Sequence, residues 1–434
     1  MFRFCVFLIF YNLIFSFESL AQSLVYVKAG KMVDVESDTV LENQLVVIKG
    51  ERILSVIPWV KPPMGAKIID WSDYTVLPGL IDGHTHLVGD ISSGDIAAPL
   101  KLTFDDNITL GKANAKATLL AGFTSVVDVG SYMAFTDVAV RDLINSGKTP
   151  GPRMQVSGPY ITITGGGGEV AGLSSNLKIP EIFRKGVADN EEEIRQRVRE
   201  LIEGGVDHIK VIATGAVLTS GTKPGEAEYT ESEIRAAVEE AAKYGKFVTA
   251  HAHGVEGIKN AIRAGVRSIQ HGSLMDDEAI EMMKEYGTWL ITGLFIGDYI
   301  QEIGTKESWP EEIMNKVLKT TNAQRQGFRK AVKRGVKIAF GTDSGVYPHG
   351  MNALEMSYMN EYGQTPLETL KSATIWGAQA MNLDKDIGSI TVGKFADMIA
   401  VKGNILEDIT ILEHVEGIIK GGELYSPSNS EFNK

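Results

Sequence analysis

An apolar run over residues 75–81 ends in Asp82-Gly83-His84-Thr85-His86, and that ending constrains the fold more than any other feature of the chain. Residues two apart in a strand share a face, so both imidazoles can reach one metal ion from a single strand end. The run has successors. Strand-length apolar runs follow at residues 124–128, 153–157, 209–212, 247–251, 268–271, 289–292 and 337–340, with amphipathic stretches between them such as 231–244, 255–264 and 277–286. With the first run they make eight strands alternating with helices, an α/β pattern that predicts a (β/α)8 TIM barrel. From 297 to 335 the sequence predicts one extended helix with an irregular lead-in, a candidate lid.

Both ends of the chain read differently. Residues 24–27, 44–48 and 52–56 are short strands punctuated by turns, and the same character returns beyond residue 381 in 387–401 and 415–422. Neither piece could bury its own apolar face. They are expected to join as a small β-sandwich domain of residues 22–76 with 386–428, leaving 77–385 as the catalytic barrel. Ahead of them, a positive start, an almost wholly apolar stretch over 4–17 and Ser19-Leu20-Ala21 predict a signal peptide over 1–21. Export to a bacterial periplasm or the medium is therefore expected, with no membrane association after cleavage. The single cysteine, Cys5, falls inside that leader, so disulfide and thiolate chemistry are not expected of the mature chain. A net charge of −12 with no basic block argues against a nucleic-acid partner.

Reading the strand ends in order gives His84 and His86, Lys210, His251, His271 and Asp343. Imidazole and carboxylate donors point to zinc, with manganese and cobalt open. Lys210 is the diagnostic member, because an ammonium beside metal cations in an apolar strand would be expelled. A neutral lysine that takes up carbon dioxide becomes an anionic carbamate able to bridge two metals. His251 and His253 share a face at one strand end and compete for the metal. His208 shares a face with Lys210 but lies deeper, and is expected to be a hydrogen-bonded interior residue. His349 lies near the mouth as a candidate substrate contact. The loop Gly165-Gly166-Gly167-Gly168 could form a nest of amides for a substrate carboxylate.

With those residues in view, the chain resembles the amidohydrolase superfamily, and within it the two-metal dipeptidases and carboxypeptidases that include ochratoxin-hydrolysing amidases. The resemblance runs through 77–86, 208–215, 250–254, 270–273, 341–345 and 392–397. It implies two divalent metal ions, one held by His84, His86 and Asp343 and the other by His251 and His271, with carbamylated Lys210 between them. His253 would then face substrate and polarise the scissile carbonyl. The family pattern departs at Gly167, where relatives often carry a histidine.

The expected chemistry is hydrolysis of a carboxamide by a metal-bridged hydroxide, with Asp343 moving the proton. Expected substrates are dipeptides or N-acyl amino acids with a free carboxylate, ochratoxin A among them. Oligomeric state is open, a homo-oligomer included. The rival enzyme is a mononuclear cyclic-amide hydrolase or deaminase of imidazolonepropionase type, against which Lys210 counts, since one metal has no use for a bridge. A metal-stabilised binding protein would lack at least one ligand, and none is missing. A serine hydrolase is disfavoured because no Gly-x-Ser-x-Gly elbow occurs.

Overall fold

The computed structural model describes residues 24–89, 95, 97–170 and 178–427. The leader expected at residues 1–21 lies outside them, as does residue 428. Among the described residues no helix is long and apolar enough to cross a membrane.

The N-terminal strands are β1 (Leu24–Asp34), β2 (Thr39–Lys49), β3 (Arg52–Pro58) and β4 (Lys67–Pro78). Near the other end come β12 (Met398–Val401), β13 (Val415–Lys420) and β14 (Glu423–Tyr425). They form one seven-stranded sheet in the order β14-β13-β12-β4-β1-β2-β3, in which β4 pairs parallel with β1 and antiparallel with β12. The two ends thus join in a single sheet, where two stacked sheets were expected. That sheet rolls onto itself. Edge strand β3 bonds the lead-in to β12 through Ile53 N to Lys394 O at 2.9 Å, and the roll encloses Val27, Val46, Ile48, Trp71, Met398 and Ile419.

The run expected as one strand over 77–86 is divided. Pro78 ends β4 opposite Met398, and β5 (Leu80–Thr85) then pairs in parallel with β6 (Phe123–Asp128). Strand β6 pairs with β7 (Arg153–Val156). A second parallel sheet holds β8 (Ile209–Ile212), β9 (Val248–Ala252), β10 (Ser268–His271) and β11 (Trp289–Ile291), in that order. Isolated parallel bridges link the two: Ile161 with Val211, Leu290 with Ile338, and Thr85 with Ser344. The eighth run, 337–340, is therefore no regular strand; only Ile338 is laddered.

Helices cover these strands: α1 (Phe104–Leu120), α2 (Thr136–Asn145), α3 (Glu191–Glu203), α4 (Glu231–Ala242), α5 (Val255–Ala264) and α6 (Asp277–Tyr286). Their starts are written in the sequence. Thr103 with Asp106, and Thr230 with Glu233, form reciprocal capping boxes that satisfy donors the first turn leaves open. The single lid helix expected over 297–335 is two, α7 (Ile296–Glu307) and α8 (Glu311–Arg334). Ser308 in the left-handed region at φ +57° and Pro310, at the N-cap of α8, separate them. Three short helices, α9 (Leu354–Glu361), α10 (Pro366–Ser372) and α11 (Ile375–Ala380), return the chain to β12.

Candidate metal centre

His84 lies on β5, and His86 stands one residue beyond its end. Their Nε2 atoms lie 3.1 and 3.2 Å from Asp343 Oδ1, and all three side chains are buried. Across the floor, His251 on β9, His253 just past it and His271 closing β10 form a second buried group. Within each trio the candidate ligand atoms are within 4.8 Å of one another. The trios adjoin, with the His84 and His271 rings 4.8 Å apart between centroids and the His251 and His271 rings 4.6 Å apart. The sequence-predicted ligands are therefore all in one place.

The side chains suit cations. His84 Nδ1 and His251 Nε2 are buried with no hydrogen-bond partner, and His84 Nε2 meets only Asp343 Oδ1. Leaving one such atom unsatisfied costs roughly 1–3 kcal/mol, so convergent lone pairs of this kind are a donor set for metal. His86 Nδ1 donates to Gly130 O at 2.8 Å, which leaves its Nε2, the nitrogen beside Asp343, as the one that would face a metal. Burial pulls His84 down to about 4 against the pull of Asp343, keeping it neutral. Burial also opposes charge on His86 and on Asp343, but their mutual bond wins: His86 is raised, and Asp343, with His84 beside it, falls well below the usual carboxylate range. 

His86 owes its rise to the hydrogen bond and charge of Asp343, which outweigh its burial.

Lys210, on β8, is 2% exposed and lines the same cavity. Burial pulls its amine down to about 7, with the Asp343 carboxylate opposing. A buried amine close to neutrality is the form that can add carbon dioxide. His253 Nδ1 is occupied by Ser273 Oγ at 2.8 Å, while His251 Nε2 is left open. Two ligand positions carry strain: His271 has φ +71° and Asp343 φ +59°, left-handed values that cost a non-glycine residue on the order of 1–3 kcal/mol each. Asp82 secures one of them. It accepts from His84 N and Thr342 N, both at 3.1 Å, from Thr342 Oγ1 at 2.6 Å and from Asn352 Nδ2 at 2.9 Å. Gly341 lets this segment lie against His84, because a Cβ there would stand 2.9 Å from His84 Cβ and 2.3 Å from Ile291 Cγ2.

Three expectations change. The glycine nest is already filled: Gly165 N donates to Glu169 Oε2 at 2.6 Å, Gly167 N to Glu228 Oε1 at 2.9 Å, and Gly166 N to Ile163 O at 2.9 Å. Gly165 and Gly166 therefore do not offer their amides to a substrate carboxylate. His349 is also spent internally, with Nε2 donating to His86 O at 3.0 Å and Nδ1 accepting from Thr118 Oγ1 at 3.0 Å, so it supports a ligand's backbone instead of touching substrate. His208 is interior as expected, but neither nitrogen has a hydrogen-bond partner; its ring stacks on Phe247 at 5.3 Å.

A cavity of about 170 Å³ opens over the metal ligands. Its lining adds residues that the sequence did not single out, among them Tyr132, Tyr160, Glu169 and Gln324. Tyr160 Oη reaches Gly130 O at 3.2 Å, the carbonyl that also orients His86. Glu169 is paired with Arg184. The position of Tyr160 just past the third strand run was the signal available for it.

The fold and this arrangement agree with what the chain is similar to. Residues 75–425 match the amidohydrolase family, and the chain belongs to that family. It is 32% identical to ochratoxinase of Aspergillus niger over 376 residues, covering 81% of this chain and 75% of that enzyme. A crystal structure of a Xaa-Pro dipeptidase with methionine bound in the active site superposes with a TM-score of 0.88 at 38% identity, covering 93% of this chain and all of the other. Imidazolonepropionase of Geobacillus sp. (strain WCH70) is 25% identical over 438 residues, covering 92% and 89% of the two chains. The chain is a metal-dependent hydrolase acting on C–N bonds.

Proposed function

We propose that this chain is a two-metal amide hydrolase cleaving dipeptides or N-acyl amino acids that carry a free carboxylate. The observation that carries the reading is the meeting of the two histidine-containing trios beside a buried Lys210 whose amine is pulled down to about 7. His84, His86 and Asp343 would hold one ion and His251 and His271 the other, with Lys210 as a carbamate between them in a closed (β/α)8 barrel. Zinc suits these donors. When bound, such ions supply Lewis acidity that lowers the pKa of a water and polarises the substrate carbonyl. Asp343, held ionised by its histidine neighbours, accepts the proton as water attacks and returns it to the leaving amine. His253, fixed through Nδ1 by Ser273, turns its other nitrogen toward the carbonyl oxygen.

Among the described lining residues the only lysine or arginine is Lys210. With the glycine nest filled, the substrate carboxylate is met by the positive charge of the loaded site itself. The bound methionine in the Xaa-Pro dipeptidase and the likeness to ochratoxinase support a product that is an amino acid. The likeness to imidazolonepropionase supports the second reading, a mononuclear cyclic-amide hydrolase or deaminase. Metal analysis of protein expressed with zinc and bicarbonate separates them, read together with a screen of dipeptides and N-acyl amino acids. About two ions per chain and amide hydrolysis are expected; one ion in fully active enzyme would overturn the two-metal reading.

A further inference from the structure

Away from the histidines the cavity changes character. Ile296 and Ile300 of α7, Ile313 and Val317 of α8, and Val217 and Leu218 of the loop after β8 face it together. The same side chains pack as a cluster of their own, separate from the main core. Polar residues beside this wall turn their polar groups elsewhere. Thr320 Oγ1 donates to Lys316 O at 2.9 Å and Thr321 Oγ1 to Val317 O at 2.8 Å, back along their own helix, while Gln324 Nε2 donates to His271 O at 3.3 Å. The hydroxyl protons of both threonines are thereby used up within the helix.

The wall is also built before any substrate arrives. Glu312 accepts from Ser220 Oγ and from Gly221 N, both at 2.9 Å. Lys316 Nζ donates to Thr219 O at 2.8 Å and pairs with Glu312 at 2.7 Å. On its other side the same loop is tied by Thr219 Oγ1 to Gly167 O at 2.6 Å. Val217 and Leu218 are thus pinned against α8, and little ordering is left for a ligand to supply.

Resting on the amide-hydrolase reading above, we propose that this wall is the side-chain pocket of the site and admits an uncharged aliphatic or aromatic side chain, such as that of leucine or phenylalanine. Ile296, Ile300, Ile313, Val317, Val217 and Leu218 offer no charge or polar side-chain group, so a lysine or glutamate side chain placed against them would lose water and gain nothing from them in return. A leucine side chain gains apolar contact on several sides, in a cavity where each methylene is worth about 10–200-fold in discrimination at best.

The test uses the metal-loaded full chain and two dipeptide series, X-Gly and Gly-X, with X as glycine, leucine, phenylalanine, lysine or glutamate. In one series kcat/KM for leucine or phenylalanine should exceed that for lysine and glutamate by at least tenfold. Ile300→Asp should shrink the leucine-to-lysine ratio by a similar factor, and Ile300→Ala should shrink the leucine-to-glycine ratio if the aspartate does not fold. Because each ratio is taken within one preparation, metal loading and folded fraction cancel. Calorimetry with free leucine and free lysine gives a readout without turnover, and leucine should bind the more tightly. Hydrolysis of both series with no preference among side chains, or an unchanged ratio in the folded Ile300 variant, overturns the pocket and leaves the amide-hydrolase reading standing. Failure to cleave any dipeptide while holding two metals, with leucine still bound in preference to lysine, overturns that reading and leaves the pocket standing.

Discussion

Gly341→Ala probes how closely the metal ligands are packed, because its single added carbon has a defined place to collide. The new Cβ would sit 2.3 Å from Ile291 Cγ2, 2.9 Å from His84 Cβ and 3.2 Å from His84 N. Relief to an ordinary contact of about 3.5 Å requires Ile291 to yield by roughly 1.2 Å and His84 by roughly 0.6 Å. Ile291 is 3% exposed and packs with Trp289, Ala339 and Ala380, so it has little room to withdraw. His84 can move only by changing its 3.1 Å approach to Asp343. Overpacking of this sort costs about 1–3 kcal/mol, and displacing a ligand's support typically costs 10–100-fold in metal affinity. The assay is a double-mutant cycle with Ile291→Ala, read by denaturant unfolding of metal-free protein and by competitive metal titration. Ile291→Ala alone should destabilise, and adding Gly341→Ala should then cost less than it does in the wild type, with metal affinity partly recovered. If Gly341→Ala unfolds within about 0.5 kcal/mol of the wild type and binds metal equally well, the close packing on His84 does not constrain the site.

Lys210→Ala should lose the bridge and with it turnover, and a short carboxylic acid added in excess should restore part of both; near-normal turnover without the acid would remove the carbamate from the scheme. Uptake of isotopically labelled bicarbonate by the wild type, absent in the variant, checks the modification directly. Asp343→Asn should lower kcat by roughly 10²–10⁴-fold and weaken the His84–His86 site, whereas His253→Asn should keep both metals and lose turnover or substrate affinity. If metal analysis shows His253→Asn shedding an ion while His251→Asn keeps both, the roles of these two histidines are reversed. Burial raises Glu355 to about 8 despite the Leu294 and Phe295 amides it accepts from. The native state then holds a proton that the unfolded chain gives up near 4.5, so stability should fall as pH rises from about 4.5 through about 8. Glu355→Gln should flatten that part of a melting-temperature profile, and superimposable profiles would refute the assignment.

Much of the site was legible because strands have a short, strict period. His84, His251 and His271 lie at or near the C-terminal ends of parallel strands, where an apolar run gives way to chemistry, whereas Lys210 is the second residue of the four in β8. Asp343 was found by its place in the series, although its own run, 337–340, is laddered only at Ile338. Partners far away in sequence were not legible. Four consecutive glycines announce amides that can converge, yet nothing local says that Glu228 will claim one of them. His349 is likewise taken by Thr118 and by the backbone of His86. The break between α7 and α8 had a local sign in Trp309-Pro310, since proline cannot supply the amide a continuous helix needs.

The passage of the chain from β4 into β5 has a consequence for when the site can exist. Strand β4 is held on one flank by β1 and on the other by β12, which is made more than three hundred residues later, and a single residue, Gly79, separates Pro78 from the first residue of β5. During synthesis the segment bearing His84 and His86 therefore emerges early beside a sheet that still lacks a strand. Closure of that sheet, and of the His84–Asp343 junction, awaits residues made hundreds of peptide bonds later, and such long loops must be closed at an entropic cost before their contacts give anything back. A nascent chain stalled short of Met398 would display its first two histidines without a finished mooring. A site assembled in this order would take up metal late, after the last strands have been drawn in beside the first.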